Sequence, residues 1–274
     1  MVPMNQNSYL ADYRLPAMTF DGNTDALPMI TPIWKALRAG NYAEALVMAQ
    51  DVRATSRLSV EAEAALLVGM AAAELSLGAT MPARRHAGRS LDLFPQQWAG
   101  HRILLSVLAG KKDYAAAYMH MARQIHQGPT PLWDEQLSVQ ERQVSMAAWA
   151  WMLGDWEMVS EHLMQAWPNG IADMPVPVQE DWFRLSLYRD RPEDAAAVAA
   201  LLIEQASEHN TDALLQTIVQ NGWTKEALPL YRTAYGNAPK SQLLRRRLVA
   251  LCIREGALEE ARALTRPGAL GIAA

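Results

Sequence analysis

The chain has 274 residues, half of them apolar, and a formal net charge of −4. These values exclude an intrinsically disordered chain, which buries too little apolar surface, and a strongly basic nucleic-acid-binding protein. The single cysteine, Cys252, excludes an internal disulfide framework and is compatible with a reducing compartment, so we expect a cytoplasmic protein.

The first 25 residues show no regular periodicity, and we predict that this N-terminal extension (residues 1–25) is irregular. It also lacks the basic region and continuous apolar stretch of a secretory signal. Four of its side chains are candidates for docking on the rest of the chain: Tyr9, Leu10, Tyr13 and Leu15. The longest apolar run, 64–73, would span only about half a bilayer core as a helix, so we expect no membrane insertion.

From about residue 26 onward one pattern recurs: a helix, a short turn that usually contains glycine, and a second helix. The anchors of these turns are 31–42 residues apart, and they are Gly40, Gly78, Lys112, Gly154, Arg191, Gly222 and Gly256. The apolar residues on both sides recur with a helical period of about 3.6. Most second helices carry small residues four positions apart on one face, for example Ala45 and Ala49. A proline 17 residues after the anchor ends three of them, at Pro95, Pro129 and Pro239.

This pattern resembles the tetratricopeptide repeat (TPR) superfamily, and in particular the TPR-like helical repeat proteins of bacteria. Two helices per unit, a period of about 34 residues and small residues where paired helices cross carry the resemblance. It covers nearly the whole chain. It implies an all-α fold, a right-handed superhelical solenoid of about seven TPR-like helix-turn-helix repeats.

The periodicity is interrupted once, by the proline-rich segment 168–179. We therefore predict repeats 1–4 in residues 26–167, repeats 5–7 in residues 180–266 and a tail at 267–274. The interruption is either a hinge, a change in superhelical pitch, or merely a longer loop. Two repeats depart from the pattern: the fourth has Val159 in place of the early alanine, and the fifth lacks the turn glycine.

The sequence carries none of the phosphate-loop, nucleophile-elbow or His-Glu-x-x-His patterns of common enzyme classes. His120 and His126 are six residues apart, which places them on opposite sides of a helix and not at the spacing of a helical metal pair. His101 and Cys252 fall inside first helices, where we expect them to pack. We predict a protein that is not an enzyme and that uses no metal or cofactor.

Tryptophan is abundant, and six of the nine tryptophans lie between residues 133 and 182. In the TPR family the first helix of each pair lines a concave groove that contacts ligands. Counting from the anchors places nine residues near this groove, and all of them except Asp212 are candidate partner-binding residues: Trp34, Val68, Arg102, Trp151, Phe183, Leu187, Arg246 and Arg254. We expect Trp151 to face the groove as a binding hot spot and Trp156 to pack inside its repeat. The alternative is that most of the tryptophans fill the core.

A cluster of arginines makes the first helix of the last pair basic: Arg245, Arg246, Arg247 and Arg254. Consecutive residues point about 100° apart, so the three adjacent arginines cannot share one face. The cluster is either a solvated helix surface or a contact for an acidic peptide, and we expect no nucleic-acid partner.

The resemblance implies a non-enzymatic adaptor or chaperone that binds a partner peptide or helix in the concave groove, for example for a bacterial secretion or envelope-assembly system. Two alternatives stay open. One is a solenoid-based enzyme or small-molecule sensor, with His101, Arg102 and a carboxylate converging in the groove. The other is a self-assembling architectural scaffold. A homo-oligomer through the terminal repeat is a further option, because the last unit has no obvious polar capping helix.

Overall fold

The computed structural model describes residues 8–20, 27–124, 134 and 137–266. Within these ranges the chain forms fifteen α-helices, one short 3-10 helix and no β-strand, which confirms the predicted all-α class. The predicted tail at 267–274 lies outside the described residues, as do parts of the N-terminal extension.

The chain divides into two compact units. The larger unit comprises Tyr13–Ala166, and the smaller unit comprises Met1–Asp12 together with Trp167–Ala274. In chain order the helices are α1 (Tyr9–Asp12), α2 (Thr31–Arg38), α3 (Tyr42–Thr55), α4 (Val60–Ser76), α5 (Thr80–Leu93), α6 (Trp98–Gly110), α7 (Tyr114–Gln124), α8 (Val139–Leu153), α9 (Trp156–Ala166), α10 (Val176–Tyr188), α11 (Pro192–Ile203), α12 (Glu208–Gln220), α13 (Thr224–Asn237), α14 (Gln242–Arg254) and α15 (Leu258–Thr265). The larger unit therefore contains α2–α9, and the smaller unit contains α1 and α10–α15.

Seven tight turns join α2 to α3, α4 to α5, and so on to α14 and α15. One residue in each turn has a left-handed conformation, with φ between 53° and 87°: Gly40, Gly78, Lys112, Gly154, Asp190, Gly222 and Gly256. In the first turn the Gly40 N–H donates to the Leu37 carbonyl and the Asn41 N–H donates to the Ala36 carbonyl, and the same two bonds recur in the other six turns. The sequence anchors thus mark these turns, with one correction: the left-handed residue of the fifth turn is Asp190, not Arg191.

Lys112 is one of two non-glycine residues among these turn positions, with a φ of 60°. A side chain pays a steric cost in this conformation that glycine avoids. We expect Lys112→Gly to stabilise the larger unit by about 0.5–1 kcal/mol, measured by urea unfolding. Lys111→Gly is the matched control: because Lys111 has a φ of −86°, the same change there should destabilise the unit instead. If Lys112→Gly failed to stabilise the unit, the assignment of Lys112 as the turn residue would be contradicted.

Small residues fill the sites where paired helices cross. Five positions after each left-handed residue, the second helix buries one side chain almost completely: Ala45, Ala83, Ala117, Val159, Ala195, Ala227 and Ala261. This burial confirms the predicted register, including the position where Val159 replaces alanine. One turn later in the last pair the small residue is not buried, because Thr265 is exposed.

The proline-rich segment is more regular than the sequence suggests. Residues Ile171–Asp173 form a 3-10 helix, and α10 begins at Val176 with Pro177 in its first turn, where a missing N–H costs nothing. The Gln179 amide donates to the Met174 carbonyl at 2.9 Å and fixes the start of the helix. The boundary predicted at residue 180 is therefore four residues too late.

The start of the described chain docks on α10 within the smaller unit. Leu10 is buried, and its N–H donates to the Asp181 carboxylate at 2.7 Å. The Ser8 hydroxyl donates to the same oxygen at 3.2 Å, and Arg184 pairs with the other oxygen at 2.5 Å. Burial raises the pKa of Asp181, although these bonds oppose the shift. The prediction that residues 1–25 are irregular is thus wrong for α1.

Candidate functional site

The larger unit carries a non-helical segment of its own chain on its first helices. This N-terminal segment, residues 13–20, precedes α2. It lies against the first-helix face, which we define as the side of α2, α4, α6 and α8 that contacts it. Side chains alternate within each half of it: Tyr13 and Leu15 are half-buried on either side of the exposed Arg14, and the half-buried Met18 and the buried Phe20 flank the exposed Thr19. Alternation with a period of two is typical of a peptide lying lengthwise on a surface.

A buried arginine holds the backbone of the N-terminal segment. Arg102 on α6 is 5% exposed, and its Nη2 donates to the carbonyl of Pro16. Burying a guanidinium is costly in free energy unless hydrogen-bond acceptors surround it. The Pro16 carbonyl is one such acceptor, so it lowers the cost of burying the Arg102 charge. The contact involves the peptide backbone, and it therefore does not require proline at this position.

A second polar contact lies at the α8 end of the face. The hydroxyls of Tyr13 and Ser145 are 3.3 Å apart. Ser145 Oγ is also 2.7 Å from the Glu141 carbonyl, which can only accept, so the serine proton points there. The Tyr13 hydroxyl is then the donor to Ser145. Together with Arg102, this contact fixes the position of the segment along α6 and α8.

Apolar side chains of the segment complete two clusters of the larger unit. The Phe20 ring meets the Trp34 indole of α2 edge to face, with centroids 5.7 Å apart at 75°. Met18 packs against the same cluster, which α2–α6 form. Leu15 packs against a second cluster that contains Trp98 and Trp149. The segment is therefore held mainly by apolar contacts, with the two polar contacts setting its register.

The N-terminal segment does not fill the first-helix face. A cavity of about 360 Å³ remains between residues 15–20 and helices α2, α4 and α6. Its polar lining includes Arg38, Ser76, Arg102 and Ser106, and none of the described residues that line it is acidic. A few fixed polar groups of this kind orient what binds in a pocket.

The structure corrects the expected exposure of the eight candidate residues. Five of them are buried: Trp34, Val68, Arg102, Trp151 and Phe183. Leu187 is half-buried, and Arg246 and Arg254 are exposed. Buried side chains present little surface to a partner, so the expectation of an open row of contacts is wrong for those five. Trp34 and Arg102 do contact a peptide segment, but it belongs to the chain itself.

The relative burial of two neighbouring tryptophans is the opposite of what we expected. Trp151 is 1% exposed, whereas Trp156 is half-buried. The two rings meet edge to face with centroids 5.4 Å apart. Trp151 is therefore a core residue in this structure and not part of an open groove.

The arginines of α14 have separate environments. Arg245 Nε donates to the Leu264 carbonyl at 2.6 Å. Arg247 Nε is 3.4 Å from the Asp212 carboxylate, which the Tyr231 hydroxyl also contacts at 3.1 Å. Burial raises the pKa of Tyr231 to about 12, so it remains a neutral donor. These contacts tie α14 to its neighbours, although Arg247 stays exposed together with Arg246 and Arg254.

Histidines of the larger unit connect the two helices of a pair. His86 Nδ1 is 2.7 Å from Glu74 Oε2, and His162 Nδ1 is 2.6 Å from Gln143 Oε1. His101 Nδ1 is 3.0 Å from His120 Nε2, and His101 Nε2 donates to the Pro95 carbonyl at 2.7 Å. Burial, above all, lowers the pKa of His101 to about 4. The structure thus gives His101 a packing role in the α6–α7 pair.

Within the described ranges, no three His, Cys, Asp or Glu side chains are grouped so that they could hold a metal ion. Cys252 is buried, and burial raises its pKa, which favours the unreactive thiol.

None of the described helices is both long and apolar enough to cross a membrane. No protein-family model matches the sequence, and no curated protein matches it.

Sequence reasoning missed the N-terminal segment as part of the site. It considered Tyr13 and Leu15 for docking but did not identify Met18 and Phe20 or the surface that they cover. A signal was present: apolar and other residues alternate from Tyr13 to Ala17 and again from Met18 to Phe20, and Pro16 disfavours a helix there. Such a stretch in front of a helical array is a candidate for lying on that array.

Proposed function

We propose that the protein is a non-enzymatic interaction protein that binds a non-helical peptide of a partner protein on the first-helix face of the larger unit. The observation that carries the proposal is the N-terminal segment lying on this face, with Arg102 bonded to a backbone carbonyl and Phe20 against Trp34. A backbone contact together with apolar sites for alternate side chains is a general way of recognising peptides.

The TPR-like array is part of the proposal. It is supported by the seven turns closed by the same hydrogen bonds and by the small buried residue five positions after each left-handed residue. In such an array the first helices of successive pairs lie side by side, as α2 lies beside α4 and α4 beside α6. The right-handed superhelix, the seven-repeat count and the role of a cytoplasmic adaptor or chaperone for a secretion or envelope-assembly system follow from the resemblance and belong to the same proposal.

Peptide selection tests the proposal directly. We would display random ten-residue peptides and select them on the full chain carrying Leu15→Asp, because a carboxylate placed against the Trp98 cluster should weaken the hold of the N-terminal segment. We expect enrichment of peptides with apolar residues at alternate positions. The absence of any enriched peptide would overturn the proposal.

A matched pair of further substitutions locates the binding surface. Adding Ser106→Trp should block the cavity and weaken binding of the selected peptides about tenfold or more, measured by fluorescence anisotropy. Ala115→Trp introduces the same side chain at an exposed position of α7 that does not line the cavity, and it should leave binding unchanged. If the selected peptides bound the Ser106→Trp and Ala115→Trp variants with equal affinity, the peptides would bind outside this cavity.

A further inference from the structure

The N-terminal segment is held less firmly than the face beneath it. Phe20 is buried, but Tyr13, Leu15, Pro16 and Met18 are only half-buried. Residues of the face that contact or adjoin the segment, such as Trp34 and Ile103, are already packed in the helical core. Removing the segment would therefore uncover an apolar surface while leaving most of the helix-to-helix core of the larger unit in place.

A short tether keeps this weakly held segment on the face. Only residues 21–26 separate Phe20 from Leu27, which is buried in the cluster that α2–α6 form. A chain of six residues spans at most about 22 Å. It therefore presents the segment to the face at an effective concentration in the millimolar range. A free peptide of the same intrinsic affinity has to compete against this local concentration.

We infer that residues 13–20 are an internal competitor that occupies the binding face until a partner peptide of the same chemistry replaces it. The inference rests on the proposed function and adds the partner's chemistry. The partner segment is non-helical and apolar at alternate positions, with an aromatic residue for the Trp34 side and a backbone carbonyl for Arg102. A side-chain acceptor from the partner can also enter the cavity beside Arg38 and Arg102, which the N-terminal segment leaves open.

The competition can be measured with the chain's own sequence as the probe. A fluorescent peptide of residues 11–20, ADYRLPAMTF, would be titrated with the full wild-type chain and with the full chain carrying Leu15→Asp. We expect the variant to bind at least about tenfold more tightly, because its own segment no longer competes. Arg14→Asp is the matched control, since Arg14 is exposed, and this variant should bind as weakly as the wild type. Met18→Asp provides a second way of releasing the segment if Leu15→Asp fails to fold, as judged by circular dichroism.

Equal affinities of the wild type and the Leu15→Asp chain for this peptide would overturn the inference. If the Leu15→Asp chain bound library-selected peptides but not ADYRLPAMTF, the inference would fail and the proposed function would stand. If that chain bound no peptide of either kind, both would fall.

Hydrogen exchange on the unmodified protein gives an independent test. Saturating the wild-type chain with a library-selected peptide should speed amide exchange in residues 13–20 and slow it in α4 and α6. Binding that leaves exchange in residues 13–20 unchanged would show that the partner and the segment do not compete for one surface.

Discussion

Replacing Trp151 with alanine is expected to destabilise the larger unit by about 3–5 kcal/mol. The side chain is 1% exposed, so the substitution removes a large buried group and leaves a cavity next to Trp156. The measurement is urea unfolding followed by circular dichroism. We expect binding of selected peptides to the folded variant to change little, because Trp151 does not line the cavity on the first-helix face.

Trp156→Ala is the natural comparison, because it removes the same side chain five residues away in sequence. Trp156 is only half-buried, so its loss should cost less, about 1–2 kcal/mol. Both variants lose the same edge-to-face ring contact, and the difference between them therefore reports the difference in burial. A larger loss from Trp156→Ala would restore the original expectation that Trp156 is the core residue.

Acidification is expected to destabilise the larger unit through His101, by about 3 kcal/mol between pH 7.5 and pH 4. The pKa of His101 falls from its ordinary value of 6.5 to about 4 in the folded chain. Between these two values the unfolded chain binds the proton and the folded chain does not, so the free energy of unfolding decreases as the pH falls. Protonation would place a hydrogen on Nδ1, the atom that faces His120.

His101→Gln isolates this effect. Burial also lowers the pKa values of His120 and His162, which act in the same direction, whereas the raised pKa of Asp181 acts in the opposite one. Subtracting the pH profile of the variant from that of the wild type removes these shared contributions. Urea unfolding at pH 7.5, 5.5 and 4 should show a markedly shallower decline for the variant. Parallel profiles would mean that His101 titrates near its ordinary value.

Local signals predicted the turns and the helix crossings. A left-handed turn residue and a small residue five positions later act within one helix pair, so the sequence near Gly40, Gly78 or Gly222 is sufficient to predict them. The fifth turn was misplaced by one residue because Asp190 takes the left-handed position without being glycine. Asp tolerates that conformation better than most residues, but its presence alone does not signal it.

Exposure was harder to predict than register. Helical periodicity indicates which face of α2 carries Trp34, but not what covers that face. In the structure Phe20, from a segment without helical periodicity, covers it. Arg102 is likewise covered, because its guanidinium donates to the carbonyl of Pro16 in the same segment. Local sequence patterns cannot predict that residues distant in the chain cover a helix face, because this depends on the tertiary structure.

The docking of α1 on α10 has a consequence for the order of synthesis on the ribosome. Leu10 and Asp181 are 171 residues apart in sequence, so Leu10 is synthesised well before the carboxylate to which it binds. At usual translation rates this delay is roughly 10–30 s. The helix pairs of the larger unit bond mainly to their neighbours in sequence and can form as they emerge, whereas the smaller unit cannot bury Leu10 until α10 has left the ribosome.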